Sequence, residues 1–420
     1  SKLNPMFRKK IVLLFMILSF QMFAQKVNEV APPYYIKSVS VNTGAESVYP
    51  MFRLGDYFNI EFDDLMAQSS NYFYKIKHCN ADWTPSNLQI TEYLGGFNDM
   101  QILNFQNSFN TLQSFTHYKL TLPNSNTRFL ISGNYIIEVL DDDGDIMFSR
   151  KVIVYQEEVG VGVTINRTRN NTTIDSKQNV AITIDYNAEA YNNPKENFKI
   201  VIMQNGRFDT SITNVPPQYT IGSQFIYNYD TETQFFGGNE FLYFDNSNIT
   251  QVNNNIAKVT STDIYNSYLY PLPPRGLRQY SYYEDLNGTF LPRNKFRNDA
   301  ATEADYAWVY FNLPTEEYVG KDVYVVGMVD NYLLTGSNKL EYDASEKAYK
   351  KAILLKQGFT SYLFSLVDSK TKKIDFQDSI DGNFYQTEND YQVIVYYRGI
   401  IDRSDRVIGF GAAKSLNITN

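Results

Sequence analysis

Hydrophobic and polar residues alternate along most of the chain after its first 25 positions. Ile182 and Ile184 share one face of a predicted strand, and Thr183 and Asp185 share the opposite face. The same period of two recurs in two further segments, at Phe198, Ile200 and Ile202 and at Tyr362, Phe364 and Leu366. Such alternation is typical of β-strands that have one face on a hydrophobic core. We therefore predict an all-β protein, built from two or three immunoglobulin-like β-sandwich domains in tandem.

The length of the chain sets the number of domains. A single hydrophobic core usually serves up to about 250–300 residues, and this chain has 420. The pattern divides into an N-terminal β-sandwich (26–158), a central β-rich domain (159–311) and a C-terminal β-sandwich (312–420). A transmembrane barrel is disfavoured because long polar stretches such as 246–255 interrupt the strands.

The first residues have the composition of a targeting segment. Arg8, Lys9 and Lys10 precede an apolar run over residues 11–20, which ends near Ala24. This run is shorter than the roughly 20 apolar residues that span a bilayer. Residues 1–25 are therefore predicted to be a secretory signal peptide, and an uncleaved anchor is the alternative.

Charge and cysteine content narrow the classes of function. The net charge is −8, and removal of residues 1–24 takes away four basic residues and no acid, which changes it to −12. An acidic surface disfavours nucleic acid as a partner. Cys79 is the only cysteine, so the chain contains no internal disulfide. Its position in an alternating strand predicts a buried, inert thiol.

Few residues suggest metal binding. Asp141, Asp143 and Asp145 are a candidate Ca²⁺ site, although Asp-Gly at this point also favours a hairpin turn. His78 and His117 are too few and too far apart for a zinc site. We predict no metal and no cofactor.

Four acids could in principle supply the carboxyl pair of a glycosidase. They lie beside Gly or Asn or close to them, where carboxylates more often accept backbone N–H groups in turns. We therefore predict no catalytic residue and no enzyme. The four acids are Glu240, Asp245, Glu284 and Asp285.

For two further residues the sequence allows more than one role. Arg207 could pair with Asp209 or with Glu240, because a buried charge needs a partner. Trp83 could close a sandwich core, stack on a sugar or anchor a partner protein.

Eight segments, taken in order, resemble the plug proteins of the Bacteroidetes type IX secretion system. They are residues 79–86, 92–97, 107–111, 203–209, 238–245, 284–288, 387–391 and 396–398. The resemblance implies a periplasmic protein that closes the periplasmic mouth of an outer-membrane β-barrel translocon when no cargo is present. It implies that translocon as the partner and no catalytic residues.

The C-terminal region has a second likeness. Residues 323–330, 338–342 and 354–359 resemble a glycogen-binding or early-set immunoglobulin-like module. In such modules an aromatic side chain stacks on sugar, and Tyr332 is the nearest candidate. The alternative function is therefore a periplasmic or surface glycan-binding protein that uses Tyr332 or Trp83. The residues that we predict to bind a partner are Trp83, Asn205, Arg207, Asn239, Glu240, Asn287 and Tyr332.

Overall fold

The computed structural model describes residues 25–416 and residue 418. Residues 1–24, which make up nearly all of the predicted signal peptide, lie outside the described residues. The prediction of an all-β protein with several β-sandwich domains is confirmed. Within residues 25–416, we find no helix that is long and apolar enough to cross a membrane.

The first domain is a sandwich of two sheets. One sheet has the strand order β1-β3-β8-β7 and the other β2-β11-β10-β4-β6, while β5 and β9 form a short ribbon. A short helix, α1 (Ile90–Tyr93), leads into β5. The strands are β1 (Ile36–Asn42), β2 (Met51–Arg53), β3 (Phe58–Asp64), β4 (Phe73–Cys79), β5 (Leu94–Gly96), β6 (Met100–Gln101), β7 (Phe105–Asn107), β8 (Thr116–Leu122), β9 (Thr127–Phe129), β10 (Gly133–Leu140) and β11 (Ile146–Tyr155).

The central domain begins directly after β11. Its first sheet has the order β12-β13-β17-β16, with β18 also paired to β13, and its second sheet contains β14 and β15. Helix α2 (Pro194–Asn197) precedes β14. The strands are β12 (Gly160–Arg167), β13 (Lys177–Asp185), β14 (Phe198–Gln204), β15 (Ile212–Thr213), β16 (Tyr219–Ile221), β17 (Gln224–Tyr227) and β18 (Gln234–Phe236).

A third sandwich follows before the central domain is complete. One of its sheets has the order β19-β27-β22, with β24 also paired to β27, and the other has the order β20-β21-β23-β26-β25. It also contains helix α3 (Ala300–Glu303) and a 3₁₀ turn (Met328–Asp330). The strands are β19 (Leu242–Asp245), β20 (Ile256–Ser261), β21 (Tyr265–Leu269), β22 (Phe290–Pro292), β23 (Tyr306–Pro314), β24 (Lys321–Val326), β25 (Glu341–Asp343), β26 (Ala348–Lys356) and β27 (Gly358–Asp368).

The chain then returns to the central domain. Strand β28 (Asp390–Tyr397) pairs with β14, Phe198 lying opposite Tyr397, and β29 (Arg406–Lys414) pairs with β28. The third sandwich is therefore inserted into the central domain, and we call it the inserted domain. The predicted boundary between residues 311 and 312 lies inside β23. The predicted unit 312–420 is divided between two domains, because β28 and β29 complete the central sheet.

The buried residues follow the predicted alternation. Ile182 and Ile184 of β13 and Ile200 and Ile202 of β14 are buried in the core of the central domain. Tyr362, Phe364 and Leu366 of β27 are buried in the core of the inserted domain. A separate apolar cluster, which includes Met51, Ile153, Met203 and Ile394, joins the first domain to the central one. The first and central domains are thus in apolar contact.

A polar junction between three domains

Four polar segments that are far apart in sequence meet where the three domains touch. They are residues 204–209, 237–241, 285–288 and 387–391, and we call this region the three-domain junction. The prediction that these segments shape the architecture agrees with their contacts. Five of their side chains form hydrogen bonds with backbone groups of another segment, and this holds the loops against one another. They are Asn205, Glu240, Asp285, Thr387 and Asn389.

Asn205 is the centre of the contact between β14 and the returning chain. Its backbone adopts a left-handed conformation, with φ 52°, which Asn tolerates better than most residues. Its N–H donates to the Asp390 carbonyl (2.7 Å), and its Oδ1 accepts from the Asp390 N–H (2.9 Å). Its Nδ2 donates to Oδ1 of Asn389 (2.9 Å). Asn205 therefore fixes the register at the start of β28.

Asn287 brings the inserted domain to the same place. Its Nδ2 donates to Oε2 of Glu388 (3.1 Å) and to Oδ2 of Asp390 (3.0 Å). Tyr49 of the first domain donates its hydroxyl to the same Oδ2 of Asp390 (2.6 Å). Burial raises the pKa of Tyr49, and the Asp390 carboxylate raises it further. One carboxylate thus links all three domains.

Arg207 is buried between two partners. Its Nε and Nη2 donate to the two carboxylate oxygens of Asp209 (3.0 and 2.7 Å). Its guanidinium carbon lies 4.2 Å from the centre of the Tyr332 ring. Of the two predicted partners, the structure shows the pairing with Asp209. Burial alone would lower the pKa of Arg207, but Asp209 outweighs it and raises the pKa.

Asn239 and Glu240 lie where the chain enters the inserted domain. Nδ2 of Asn239 donates to the Asp381 carbonyl (2.8 Å), and Oδ1 accepts from the Glu240 N–H (2.8 Å). Glu240 is fully buried, and its Oε1 accepts from the Tyr280 hydroxyl (2.5 Å) and from the Glu388 N–H (3.0 Å). Burial raises the pKa of Glu240 to about 7, and the neighbouring Asp285 adds to the effect.

Asp285 and Asp245, two of the other acids of the glycosidase hypothesis, have turn-forming contacts. Asp285 accepts from the backbone N–H groups of Phe241 and Asn287. Asp245 accepts from the Ser247 N–H (2.8 Å), and Glu284 is exposed. These contacts match the predicted role in turns.

Trp83 lies outside the junction, in the apolar contact between the first and central domains. Its backbone φ is 65°, and its ring packs edge-on against Phe208, with centroids 5.4 Å apart. Nζ of Lys151 lies 4.7 Å from the ring centre. Trp83 therefore closes a contact between domains rather than the core of one sandwich.

The acidic hairpin between β10 and β11 forms a compact turn. Oδ1 of Asp141 accepts from the N–H groups of Asp143 (3.0 Å) and Asp145 (2.9 Å). Asp143 and Asp145 are exposed. One oxygen of Asp141, one of the three candidate ligands, thus already accepts hydrogen bonds within the turn.

A cleft of about 350 Å³ lies beside the junction. Residues of all three domains line it, among them Arg150, Arg207 and Tyr332. Sequence reasoning did not single out Tyr49, Tyr280 or Asp390, although Asp390 stands in a segment that carries the resemblance. No local pattern marks Tyr49 and Tyr280, because their partners are hundreds of residues away or lie in another loop.

Comparisons with known proteins agree with this architecture. Residues 36–156 match the type 9 secretion system plug protein 1st domain. The structure of a hypothetical protein from Parabacteroides merdae ATCC 43184 is similar, with 32% sequence identity and a TM-score of 0.87, over 93% of this chain and 100% of that one. No curated protein matches the sequence. The chain therefore belongs to one family with the Parabacteroides merdae protein, and the match over residues 36–156 supports its membership of the type IX secretion system plug family.

Proposed function

We propose that this protein is a periplasmic plug, which seals the outer-membrane translocon of the type IX secretion system when no cargo is present. The observation that carries the proposal is the match of residues 36–156 to the first domain of plug proteins. In this proposal the protein has no catalytic role and acts by protein–protein contact at the periplasmic face of the outer membrane.

The contacts between the domains would make the protein stiff, as a plug in a pore must be. The three-domain junction and the apolar cluster around Met203 and Ile394 link the domains by polar and apolar contacts. A body that blocks a pore must resist bending, and buried hydrogen-bond networks between domains supply that stiffness. Because the chain has a single cysteine and therefore no internal disulfide, packing and hydrogen bonds together must supply this stiffness.

Three exposed apolar side chains between β5 and β8 of the first domain are candidate contacts with the translocon. Phe97, Leu103 and Phe109 are 65%, 73% and 66% exposed, and all three lie within the matched region. The Phe109 N–H donates to the Thr302 carbonyl (2.9 Å), so the chain at Phe109 is fixed against the inserted domain. Aromatic side chains such as those of Phe97 and Phe109 are enriched at protein interfaces.

The glycan-binding alternative relies on the ring faces of Tyr332 and Trp83. Arg207 covers one face of Tyr332, and Lys151 and Phe208 contact Trp83. These contacts inside the chain favour the plug proposal over stacking on sugar.

Affinity purification tests the proposal. The tagged full-length protein should be expressed in its own bacterium, cross-linked and purified in mild detergent, and it should recover a very large β-barrel protein. A Leu103→Ser/Phe109→Ser variant should recover much less of it. The matched control is Ile400→Ser/Ile401→Ser, which changes two exposed residues of the central domain outside the matched region.

A second measurement uses a strain that lacks the protein. Its outer membrane should become more permeable to small antibiotics, because an unplugged translocon leaves an open pore. The proposal fails if no barrel protein is recovered and permeability is unchanged. Recovery on a polysaccharide resin alone would instead support glycan binding, and hydrolase activity that Glu240→Gln abolishes would support an enzyme.

A further inference from the structure

Three carboxylates meet where the chain passes between the central and inserted domains. Glu240 lies where the chain enters the inserted domain, and Glu388 lies where it returns to the central domain. Asp285 lies on a loop of the inserted domain. One oxygen atom from each lies within 4.8 Å of those from the other two. Glu240 is fully buried, and Asp285 and Glu388 are nearly so.

The cations nearby do not balance this charge. Arg275 donates to Asp381 (2.8 Å), to the Tyr283 hydroxyl (2.9 Å) and to the Glu240 carbonyl (2.8 Å), so its guanidinium is already engaged. Nζ of Lys414 lies 3.7 Å from Glu388 and 3.6 Å from Asp390, but its side chain is largely exposed. Buried carboxylates without a counter-charge are costly in free energy.

A buried acceptor of the cluster lacks a hydrogen-bond donor within residues 25–416. Oε1 of Glu240 accepts two hydrogen bonds, whereas Oε2 is buried and has no hydrogen-bond donor among the residues that the structure describes. Oδ1 of Asn287, also buried, likewise accepts no hydrogen bond from the described part of the chain. A bound cation would satisfy these oxygens.

We propose that Glu240, Asp285 and Glu388 bind a divalent cation of the Ca²⁺ class at the three-domain junction. Two oxygens that each lie about 2.3–2.6 Å from a common Ca²⁺ are at most about 5 Å apart. The three carboxylate oxygens, which lie within 4.8 Å of one another, fit this geometry. Carboxylate and amide oxygens favour Ca²⁺ or Mg²⁺ over softer metals. The flexible coordination of Ca²⁺ suits ligands that come from three separate loops.

The site would connect both passages of the chain. Glu240 and Glu388 flank the two connections between the central and inserted domains, so one ion would hold both to the Asp285 loop. A ligand that binds only the folded protein stabilises it by RT ln(1 + [L]/Kd). The cation therefore fixes the inserted domain on the central one. This inference does not depend on the proposed function.

Calorimetric titration of the EDTA-treated full chain with CaCl₂ tests the proposal, together with thermal unfolding with and without Ca²⁺. We expect saturable binding and a midpoint that rises by a few degrees. Glu240→Gln and Glu388→Gln should each weaken binding at least about tenfold, because each removes a charged ligand. Two separate variants are used so that a folding defect in one does not decide the result.

The acidic hairpin supplies the matched control. An Asp143→Asn/Asp145→Asn variant removes two exposed carboxylates elsewhere and should bind Ca²⁺ as tightly as the original protein. The proposal is overturned if about 5 mM Ca²⁺ produces neither heat nor a shift in the midpoint. It is also overturned if both Gln variants bind normally, or if the hairpin variant loses binding.

Discussion

Nζ of Lys356 in the inserted domain lies 2.7 Å from Oδ2 of Asp63 in the first domain, and both side chains are buried. The Tyr306 hydroxyl donates to the same oxygen (2.6 Å), and Nδ1 of His117 lies 2.7 Å from Oδ1. Burial would raise the pKa of Asp63, but Lys356 and the hydrogen bond with His117 outweigh it and lower the pKa. A buried salt bridge therefore joins the first and inserted domains.

Asp63→Asn should destabilise the protein by about 3–5 kcal/mol, because it leaves the Lys356 ammonium buried without a counter-charge. Urea unfolding of the purified protein measures the effect. Lys356→Met and the double variant complete a double-mutant cycle. The double variant should be more stable than the sum of the single effects predicts, since it buries no lone charge. A loss below about 1 kcal/mol in Asp63→Asn would contradict a desolvated pair.

His78 should make stability depend on pH. Its buried ring contacts Oγ of Ser86 (2.9 Å), and burial lowers the pKa of His78 to about 4. In the unfolded chain the imidazole binds a proton near pH 6.5. Stability is therefore lost as the pH falls from about 6.5 to about 4, by about 3 kcal/mol at most.

The test compares unfolding free energies at pH 7 and pH 4.5. His78→Asn should be less stable at pH 7 but should lose less stability on acidification than the original protein. Ser86→Ala keeps the imidazole and should retain the full dependence. Equal losses in the original protein and in His78→Asn would show that other groups cause the acid sensitivity.

Gly206 should tolerate no side chain. Its φ is 65°, and a Cβ atom there would lie 2.4 Å from the Tyr49 ring of the first domain. Gly206→Ala should cost about 2–3 kcal/mol, since backbone strain adds to a displaced ring. Gly222 has a similar φ of 58° and nothing within 4 Å, so Gly222→Ala should cost only about 1 kcal/mol. Thermal unfolding compares the two, and similar losses would indicate that Tyr49 moves aside freely.

Arg207→Lys should weaken the junction by about 1–3 kcal/mol. An ammonium cannot make both hydrogen bonds to Asp209 while it stacks on Tyr332. Tyr332→Phe is the matched control, because it keeps the ring beneath Arg207. It removes a buried hydroxyl that has no partner among the described residues, so it should be nearly neutral. Denaturant midpoints measure both, and a larger loss in Tyr332→Phe would refute this assignment.

Cys79 should react with thiol reagents only when the first domain opens. The thiol is buried, as the sequence predicted, and burial raises its pKa to about 11. A neutral, inaccessible thiol is a poor nucleophile. Labelling with an aromatic disulfide should therefore be slow in buffer and complete in denaturant. Rapid labelling of the folded protein would disprove the burial.

The strands could be predicted from sequence because their signal is local. Alternation in β13, β14 and β27 placed Ile184, Ile202 and Phe364 in cores, and they are buried there. Arg207 could be paired with Asp209 because only one residue separates them. The Asp141 turn was foreseen because Asp-Gly encodes it within a few positions.

The inserted domain could not be predicted in this way. Hydrogen bonds between β14 and β28 join Phe198 to Tyr397 across an entire sandwich, and nothing in either strand specifies its partner. The same holds for the link between Asp63 and Lys356, since each looks like an ordinary polar residue of a strand. The polar segments were recognised as important, but only the fold shows that they face one another.

The insertion also determines when the central domain can complete its fold during synthesis. During translation, β14 is made before the whole inserted domain, and its partner strand β28 is made only after it. Any polypeptide that stops short of Asp390 leaves the edge of β14 open, with Ile200 and Ile202 uncovered. Such a fragment should be sensitive to proteases and prone to aggregation. A truncation near the C-terminus should therefore be as damaging as one in the middle of the chain.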